Sequence, residues 1–118
     1  MMGSALRLQD APIVRKLMSD LDTLRRLALG HPEASEEPHH GRPSFRVGGK
    51  IFLTVPDPEH ANFMLDEEQI RVFAAEWAGC EEQWWGKKLA ALRVELSALD
   101  EESLSDLVAE AYAHRAAR

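Results

Sequence analysis

The sequence predicts an α+β fold, an antiparallel sheet packed on one side by helices, with the element order α-β-β-β-β-α-β-α. Two observations predict it. Near both ends of the chain, apolar residues recur every three or four positions, which is the period of an amphipathic helix. From residue 44 to residue 65 they recur at a period of two, and Gly and Pro separate the alternating segments. Consecutive strands joined by such short turns pair antiparallel.

The first helix is predicted from Asp10 to Leu29. Its apolar positions fall on one face and are Ile13, Val14, Leu17, Met18, Leu21, Leu24 and Ala28. Asp10 is expected to cap its N-terminus, and Gly30-His31-Pro32 to end it. Residues 1–118 are expected to form a single domain, of which residues 1–9 are disordered or come from the expression vector.

Four strands are predicted in the middle of the chain. The first and most polar one runs from Glu33 to His39. The apolar positions of the other three are Phe45 and Val47, then Ile51, Leu53 and Val55, then Ala61, Phe63 and Leu65. A turn is expected between the last two strands at Pro56-Asp57-Pro58.

The C-terminal part of the chain is predicted as helix, strand and helix. Asp66 and Gln69 form a capping box that begins the second helix, which Gly79 ends. The segment from Cys80 to Lys88 fits neither period and stays unassigned. A late strand contains Leu92, Val94 and Leu96, and the last helix starts at Asp100. The apolar face of that helix is formed by Leu104, Leu107, Val108, Ala111 and Tyr112.

The triplet Gly48-Gly49-Lys50 invites comparison with a phosphate-binding loop, but its spacing excludes that motif. The motif requires Gly at position 44 and Ser or Thr at position 51, where this chain has Ser44 and Ile51. Strand patterns stand on both sides of the triplet, so no helix N-terminus faces a phosphate there. The triplet is therefore predicted to connect two strands of a hairpin.

The side-chain faces of this hairpin favour an odd-length loop. A two-residue turn would divide the apolar residues between the two faces of the sheet. A three-residue loop, Val47-Gly48-Gly49 with Gly49 left-handed in a bulge, brings them to one face. The residues expected to point inward are then Phe45, Ile51, Leu53 and Val55. Arg46 would lie opposite Lys50 on the outer face.

Composition indicates a soluble cytoplasmic protein. The chain has 118 residues, a formal net charge of −6, and no apolar run long enough for a membrane span or a secretory signal. An acidic balance argues against a strongly basic nucleic-acid-binding surface but leaves room for a local patch. Cys80 is the single cysteine, so no intrachain disulfide is possible. Its neighbours Glu81 and Glu82 disfavour a reactive thiolate, which leaves buried filler as the expectation.

Five segments carry a family resemblance: LALGHPEASEEP, the hairpin SFRVGGKIFLTV, the Trp-rich segment ending in GKK, LRVEL and LSDLVAEAYAHRA. Over residues 12–116 the chain resembles the MmcQ/YjbR family. The resemblance implies a compact fold similar to the bacterial frataxin-like architecture, for which a "double wing" DNA-binding role has been suggested. It implies no established activity and no catalytic residues. Lys50 best matches a family hallmark, whereas Ala111-Tyr112 stands where some relatives have Ser-Tyr.

Basic residues supply the first candidate site. Three bases and no acid lie between residues 42 and 50, and two more lysines follow the tryptophans. A nucleic-acid phosphate or another anion is therefore expected to contact Arg42, Arg46, Lys50, Lys87 and Lys88. The alternative is a solvated face that protects a strand from edge pairing.

Trp84 and Trp85 supply the second candidate site. Adjacent residues of a strand point to opposite faces, so one ring is expected in the core and the other exposed or under a loop. An exposed ring beside two lysines could stack a base or anchor a protein partner. In the alternative, both rings pack against helices. A protein or small ligand would use an apolar patch around the two rings and the sheet face bearing Phe52.

No metal, cofactor or catalytic site is expected. His39 and His40 are consecutive on a strand and would face opposite ways, and His60 belongs to no metal-binding motif. The frataxin-like resemblance raises iron, but the acids cluster at helix starts such as Glu67-Glu68, where the helix dipole explains them. The expectation is a non-enzymatic domain, monomeric or weakly homodimeric, with a nucleic acid or a protein as partner and no membrane.

Overall fold

The computed structural model describes residues 19–117. Its helices are α1 (Leu21–Leu29), α2 (Glu67–Glu76) and α3 (Glu101–Ala116). Its strands are β1 (Ser35–His39), β2 (Arg42–Val47), β3 (Lys50–Asp57), β4 (His60–Phe63), β5 (Cys80–Trp85) and β6 (Lys88–Glu95). A 3-10 turn, Leu96–Ala98, leads from β6 to α3. The predicted α+β class and element order are confirmed, and the segment that the sequence left unassigned adds β5.

The six strands form one antiparallel sheet in the order β1-β2-β3-β4-β6-β5. Four hairpins connect them through two-residue turns, at residues 40–41, 48–49, 58–59 and 86–87. Between β4 and β5 the chain passes through α2, so the two halves of the sheet meet where β4 pairs with β6. Helix α3 packs against β2, β3 and β4, α2 against β5 and β6, and α1 against α3.

Helix α1 begins later than the sequence predicts. The backbone of Asp20 is extended (φ −139°, ψ −177°), and its carboxylate accepts a hydrogen bond of 2.9 Å from the Thr23 N–H as the N-cap. The prediction of one continuous helix from Asp10 to Leu29 is therefore wrong at Asp20. The predicted cap Asp10 and the stretch to residue 18 lie outside the described residues.

Capping at the other two helices agrees with the sequence. In α2, the Gln69 N–H donates to Asp66 Oδ1 at 2.8 Å and the Asp66 N–H donates to Gln69 Oε1 at 3.3 Å, which is the predicted capping box. In α3, Asp100 accepts from the Ser103 N–H at 2.7 Å. These caps fix where both helices start and so how their apolar faces meet the sheet.

The β2–β3 hairpin turns through two residues rather than three. Val47 pairs with Lys50, and both residues of Gly48-Gly49 have positive φ, 59° and 79°. A turn with two left-handed residues matches the twist of the flanking strands, and Gly adopts it without steric cost. The predicted odd-length loop is wrong, and Arg46 lies opposite Ile51 rather than opposite Lys50.

A β-bulge does change which side chains of β3 face the core, but it lies inside the strand and not in the turn. Phe45 pairs with Leu53, which leaves Phe52 as the additional residue of the strand. Phe52 is fully buried beside the equally buried Leu53, and its ring meets Tyr112 edge-on at 5.6 Å between centroids. Ile51, which was predicted to point inward, is only half-buried. The bulge thus exchanges the predicted places of Ile51 and Phe52.

The core draws on all three helices and on the inner strands. Its largest fully buried side chains are Phe45, Phe52, Phe63, Leu24, Leu53, Ile70, Leu92, Leu96, Leu104, Leu107, Val94 and Val108. Of the two outer strands, β1 contributes no fully buried side chain and β5 contributes Cys80 at its first position. Among residues 19–117, no helix is both long and apolar enough to cross a bilayer.

Candidate binding surface

A cleft of about 230 Å³ opens where the β1–β2 turn, the outer part of β3 and the end of β5 meet, and we call it the hairpin cleft. Its lining is mostly apolar, with basic and imidazole groups at the turn. The residues that define it are His39, His40, Arg42, Pro43, Pro56 and Trp85. A large aromatic ring and a guanidinium therefore share one concave surface.

The β1–β2 turn brings two imidazole rings into this cleft. His40 and Gly41 have positive φ, 53° and 79°, as the two central residues of a tight hairpin turn. The ring centroids of His39 and His40 are 4.3 Å apart. The expectation that the rings face opposite ways is wrong, because His40 belongs to the turn and not to the strand.

The β5–β6 hairpin presents both tryptophans to solvent. Trp85 pairs with Lys88 across the Gly86-Lys87 turn and is 51% exposed. Trp84 is 44% exposed, and its indole N–H donates to Glu82 Oε1 at 3.0 Å. The prediction that one ring lies in the core is therefore wrong, and so is the alternative that both rings pack against helices. Within the described residues, β5 is an outer strand of the sheet and pairs on one side alone.

The two rings serve different surfaces. Trp85 lines the hairpin cleft, whereas Trp84 lines a separate groove between β5 and α2, with Arg71 and Ala74. The predicted apolar patch that would join both rings to Phe52 is wrong, because Phe52 is buried under α3. Trp84 and Trp85 therefore form a natural pair for comparison by mutation.

Most of the residues predicted to contact an anion have no acidic partner in the described part of the chain. Within residues 19–117, no carboxylate lies within 4.0 Å of the charged groups of Arg42, Lys50, Lys87 or Lys88. Arg46 differs, since its Nε lies 3.9 Å from an oxygen of Glu37 on β1 and is buried without a hydrogen bond. Arg46 is thus engaged by the neighbouring strand, although the local sequence holds no acid.

The structure divides the predicted basic cluster between the two ends of β2. Arg42 lies in the hairpin cleft, while Lys50 lies at the opposite end in a second concavity with Tyr112 and Arg115. Arg115 is held there by a hydrogen bond of 3.0 Å from its Nε to the carbonyl of Ile51. Lys50 is therefore exposed but does not share a surface with Arg42.

His60 contacts Asp57 across the β3–β4 turn. A hydrogen bond of 3.0 Å joins its Nδ1 to Oδ1 of Asp57, and this contact holds the pKa of the Asp57 carboxyl below its usual value. In the described part of the chain, no group of three or more His, Cys, Asp or Glu side chains is placed to hold a metal ion.

Cys80 begins β5 as a buried free thiol. Burial raises its pKa to about 11, so the thiolate is strongly disfavoured near neutral pH. The direction predicted from the sequence is confirmed, but the cause is desolvation and not the charges of Glu81 and Glu82. Cys80 therefore acts as a core residue that fastens the start of the outer strand.

Together these features define a class of small α+β domain with three helices on a six-stranded antiparallel sheet and a concave surface between hairpins. The family model YjbR matches residues 29–114, and the chain belongs to the YjbR family, as the sequence segments indicated. Comparison with curated proteins and with solved structures found no match.

Several residues of these surfaces escaped the sequence reasoning. Pro43, Pro56 and Trp85 lie on three different strands, so the cleft that they line depends on tertiary structure and leaves no local pattern in the sequence. Arg115 could have been found. It follows Ala111 by four positions and Tyr112 by three, so helical periodicity places it on the face that packs against β3.

Proposed function

We propose that this protein is a non-enzymatic domain that binds single-stranded nucleic acid through the hairpin cleft. The observation that carries the proposal is the exposed ring of Trp85 in one concave surface with Arg42. An aromatic face beside unpaired basic groups is the arrangement by which proteins hold unpaired bases and their phosphates.

Trp85 supplies the stacking surface. Stacking of a base on an aromatic side chain contributes about 1–3 kcal/mol and tolerates any base, because every base has a π-face. A cleft of about 230 Å³ is smaller than the 300–1,000 Å³ typical of drug-sized ligand sites, so it suits one planar ring and not a whole nucleotide. The rest of the strand would lie along the surface outside.

Basic residues at the rim supply the phosphate contacts. Arg42 lies in the cleft, and Lys88 is the cross-strand partner of Trp85, with Lys87 in the adjoining turn. None of the three is paired with a described carboxylate. With the net charge of −6, repulsion elsewhere on the surface confines the polyanion to this rim.

Fluorescence anisotropy with a labelled oligothymidylate of about 15 nucleotides, at low and moderate salt, tests the proposal. Trp85→Ala should weaken binding about 5- to 150-fold, which corresponds to the loss of one stacked base. Trp84→Ala is the matched control, since it removes an exposed ring from the neighbouring groove and leaves the cleft intact. Three phosphate contacts predict a slope of log K against log salt of about −2.

A second pair of variants separates a located site from general attraction. Arg42→Ala should weaken binding, whereas Lys50→Ala removes the same charge at the far end of β2 and should have little effect. Equal losses from both, or tighter binding to a duplex than to the single strand, would contradict the proposal. Absence of binding at low salt would leave a protein partner, the other candidate from the sequence, as the better explanation.

A further inference from the structure

The outer edge of β5 is an unpaired strand edge. The sheet ends at β5, whose other side is paired with β6, and within residues 19–117 no element hydrogen-bonds to its outer side. The register shift in this hairpin places the additional residue, Ala90, in β6, so β5 itself runs without interruption from Cys80 to Trp85. Its backbone N–H and C=O groups are therefore available for pairing with another strand.

The charges along this hairpin change sign from one end to the other. Glu81 and Glu82 stand near the start of β5, the two tryptophans at its end, and Lys87 and Lys88 at the hairpin tip. All six side chains are exposed. Neither lysine is paired with an acid of the described chain. A surface that is acidic at one end and basic at the other is complementary to its own copy when the copy runs in the opposite direction.

We propose that a second copy of this chain docks on β5, so that two sheets join edge to edge in an antiparallel homodimer. A two-fold contact uses the same patch on both partners, and it requires that patch to be self-complementary. In the register that centres on Trp84 and Trp85, antiparallel pairing of β5 with its copy sets each Glu82 opposite the partner's Lys87, twice in one interface. The exposed Trp84 rings then lie near the two-fold axis, where aromatic residues contribute most to an interface.

The other edge of the sheet, formed by β1, is less suited to pairing with a second copy. Strand β1 contains Pro38, which cannot donate to a neighbouring strand, and its Glu36 is tied to Arg25 of α1 by an ion pair of 2.8 Å. Strand β1 carries Glu36 and Glu37 but no lysine or arginine, so antiparallel pairing with its own copy offers no acid–base contact across the interface. Of the two sheet edges in the described part of the chain, β5 is therefore the one suited to a homodimer.

Sedimentation equilibrium of the full chain and of two charge-reversed variants tests the inference. The acid-reversed variant carries Glu81→Lys and Glu82→Lys, and the base-reversed variant carries Lys87→Glu and Lys88→Glu. The wild type should reach twice its 13.3 kDa mass as concentration rises, and each variant alone should stay monomeric. An equimolar mixture of the two variants should dimerise again, because the acid–base contacts are restored between unlike chains.

A control variant separates the interface from net charge. Glu102→Lys with Asp106→Lys makes the same charge change as the acid-reversed variant on exposed positions of α3, and it should dimerise as the wild type does. Circular dichroism confirms that every variant is folded. If an acid- or base-reversed variant does not fold, Gln83→Pro replaces it, since it removes one backbone donor of β5 without changing charge.

Three outcomes would overturn the inference: a wild type that stays monomeric up to about 1 mM, reversed variants that dimerise like the wild type, or a mixture that stays monomeric. The inference does not depend on nucleic-acid binding. The acid-reversed variant keeps Arg42, Trp85 and both lysines, so its binding to oligothymidylate tests the cleft separately from the dimer.

Discussion

The two outer strands of the sheet are held in place by different means. Strand β1 is held by side chains, through the ion pair of Arg25 with Glu36, and its turn residue Gly41 (φ 79°) has open space around it. Strand β5 is held by close backbone packing. A Cβ on Gly79 (φ 80°) would overlap the Cβ of Ala98, and the Gly79 carbonyl accepts from the Glu95 N–H at 2.8 Å. Exposed charge protects the edge at β1, while tight packing anchors β5, whose outer side is unpaired among residues 19–117.

The largest difference in stability between the two outer strands is expected when Gly79 and Gly41 are each replaced by alanine. Gly79→Ala should lower the free energy of unfolding by about 2–5 kcal/mol, because left-handed strain adds to a steric overlap with Ala98. Gly41→Ala carries only the strain and should cost about 1–2 kcal/mol. Urea denaturation of both variants measures the difference. Equal costs would show that β5 is not anchored by close packing at Gly79.

The thiol of Cys80 reports whether the anchored strand frays. A pKa raised from 9.0 to about 11 lowers the thiolate population near pH 8 about 100-fold relative to the unfolded chain. Reaction with a chromogenic disulfide should therefore be at least that much slower in the native protein than in urea. Native and unfolded rates that agree within a few-fold would mean that β5 opens readily.

The same thiol predicts a pH dependence of stability. Because the folded pKa is raised, protonated Cys80 favours the folded state fully below pH 9.0, and this contribution is lost as the pH rises toward about 11. Urea midpoints measured across that range should fall for the wild type and fall less for Cys80→Ala. Parallel curves for the two proteins would assign the alkaline loss to other groups.

A smaller effect is expected at the side-chain anchor of β1. Arg25→Ala removes a half-buried ion pair and should cost about 1 kcal/mol, at the upper end of values for surface pairs. Arg71→Ala is a suitable control, since its 3.4 Å pair with Glu67 is more exposed and should contribute about 0.3 kcal/mol. Thermal unfolding ranks the two. A cost at Arg25 no greater than at Arg71 would mean that β1 needs no side-chain anchor.

The smallest effect is expected at the open edge itself. Trp84→Phe loses the indole hydrogen bond to Glu82 but keeps an exposed ring, and it should change the free energy of unfolding by less than about 0.5 kcal/mol. The measurement belongs at low protein concentration, where the monomer dominates. A large loss there would place Trp84 in the fold and not at a docking edge.

Sequence patterns gave the helices and inner strands because their signals are local. The Asp66 and Gln69 side chains cap α2 through contacts three residues apart, and alternation marked β2 to β4. Strand β5 was missed because it is an edge strand with exposed side chains on both faces, so CEEQWW shows no alternation. Its pairing with β6, and not its composition, makes it a strand.

The register of β2 with β3 and the grouping of surface residues depend on long-range contacts, which no short sequence pattern contains. The division of apolar residues between two faces required a bulge, which the sequence pattern placed in the loop at Gly49. The structure has it at Phe52 in β3, where the ring meets Tyr112 of α3 edge-on. Likewise, Arg42 and Lys50 looked like one basic cluster, although an extended β2 separates them. Arg46 met an acid on β1, which is a long-range pairing.

The seam between β4 and β6 bears on how the domain folds. Every other strand pair is a hairpin closed by two residues, but this one joins His60 to Glu95 and Phe63 to Leu92 across α2 and a whole hairpin. Pairing β4 with β6 costs the entropy of closing a long loop before any contact between them forms. We therefore expect this pairing to be the rate-limiting step of folding. Substitutions at the seam should therefore slow refolding, whereas substitutions at the hairpin tips should mainly speed unfolding.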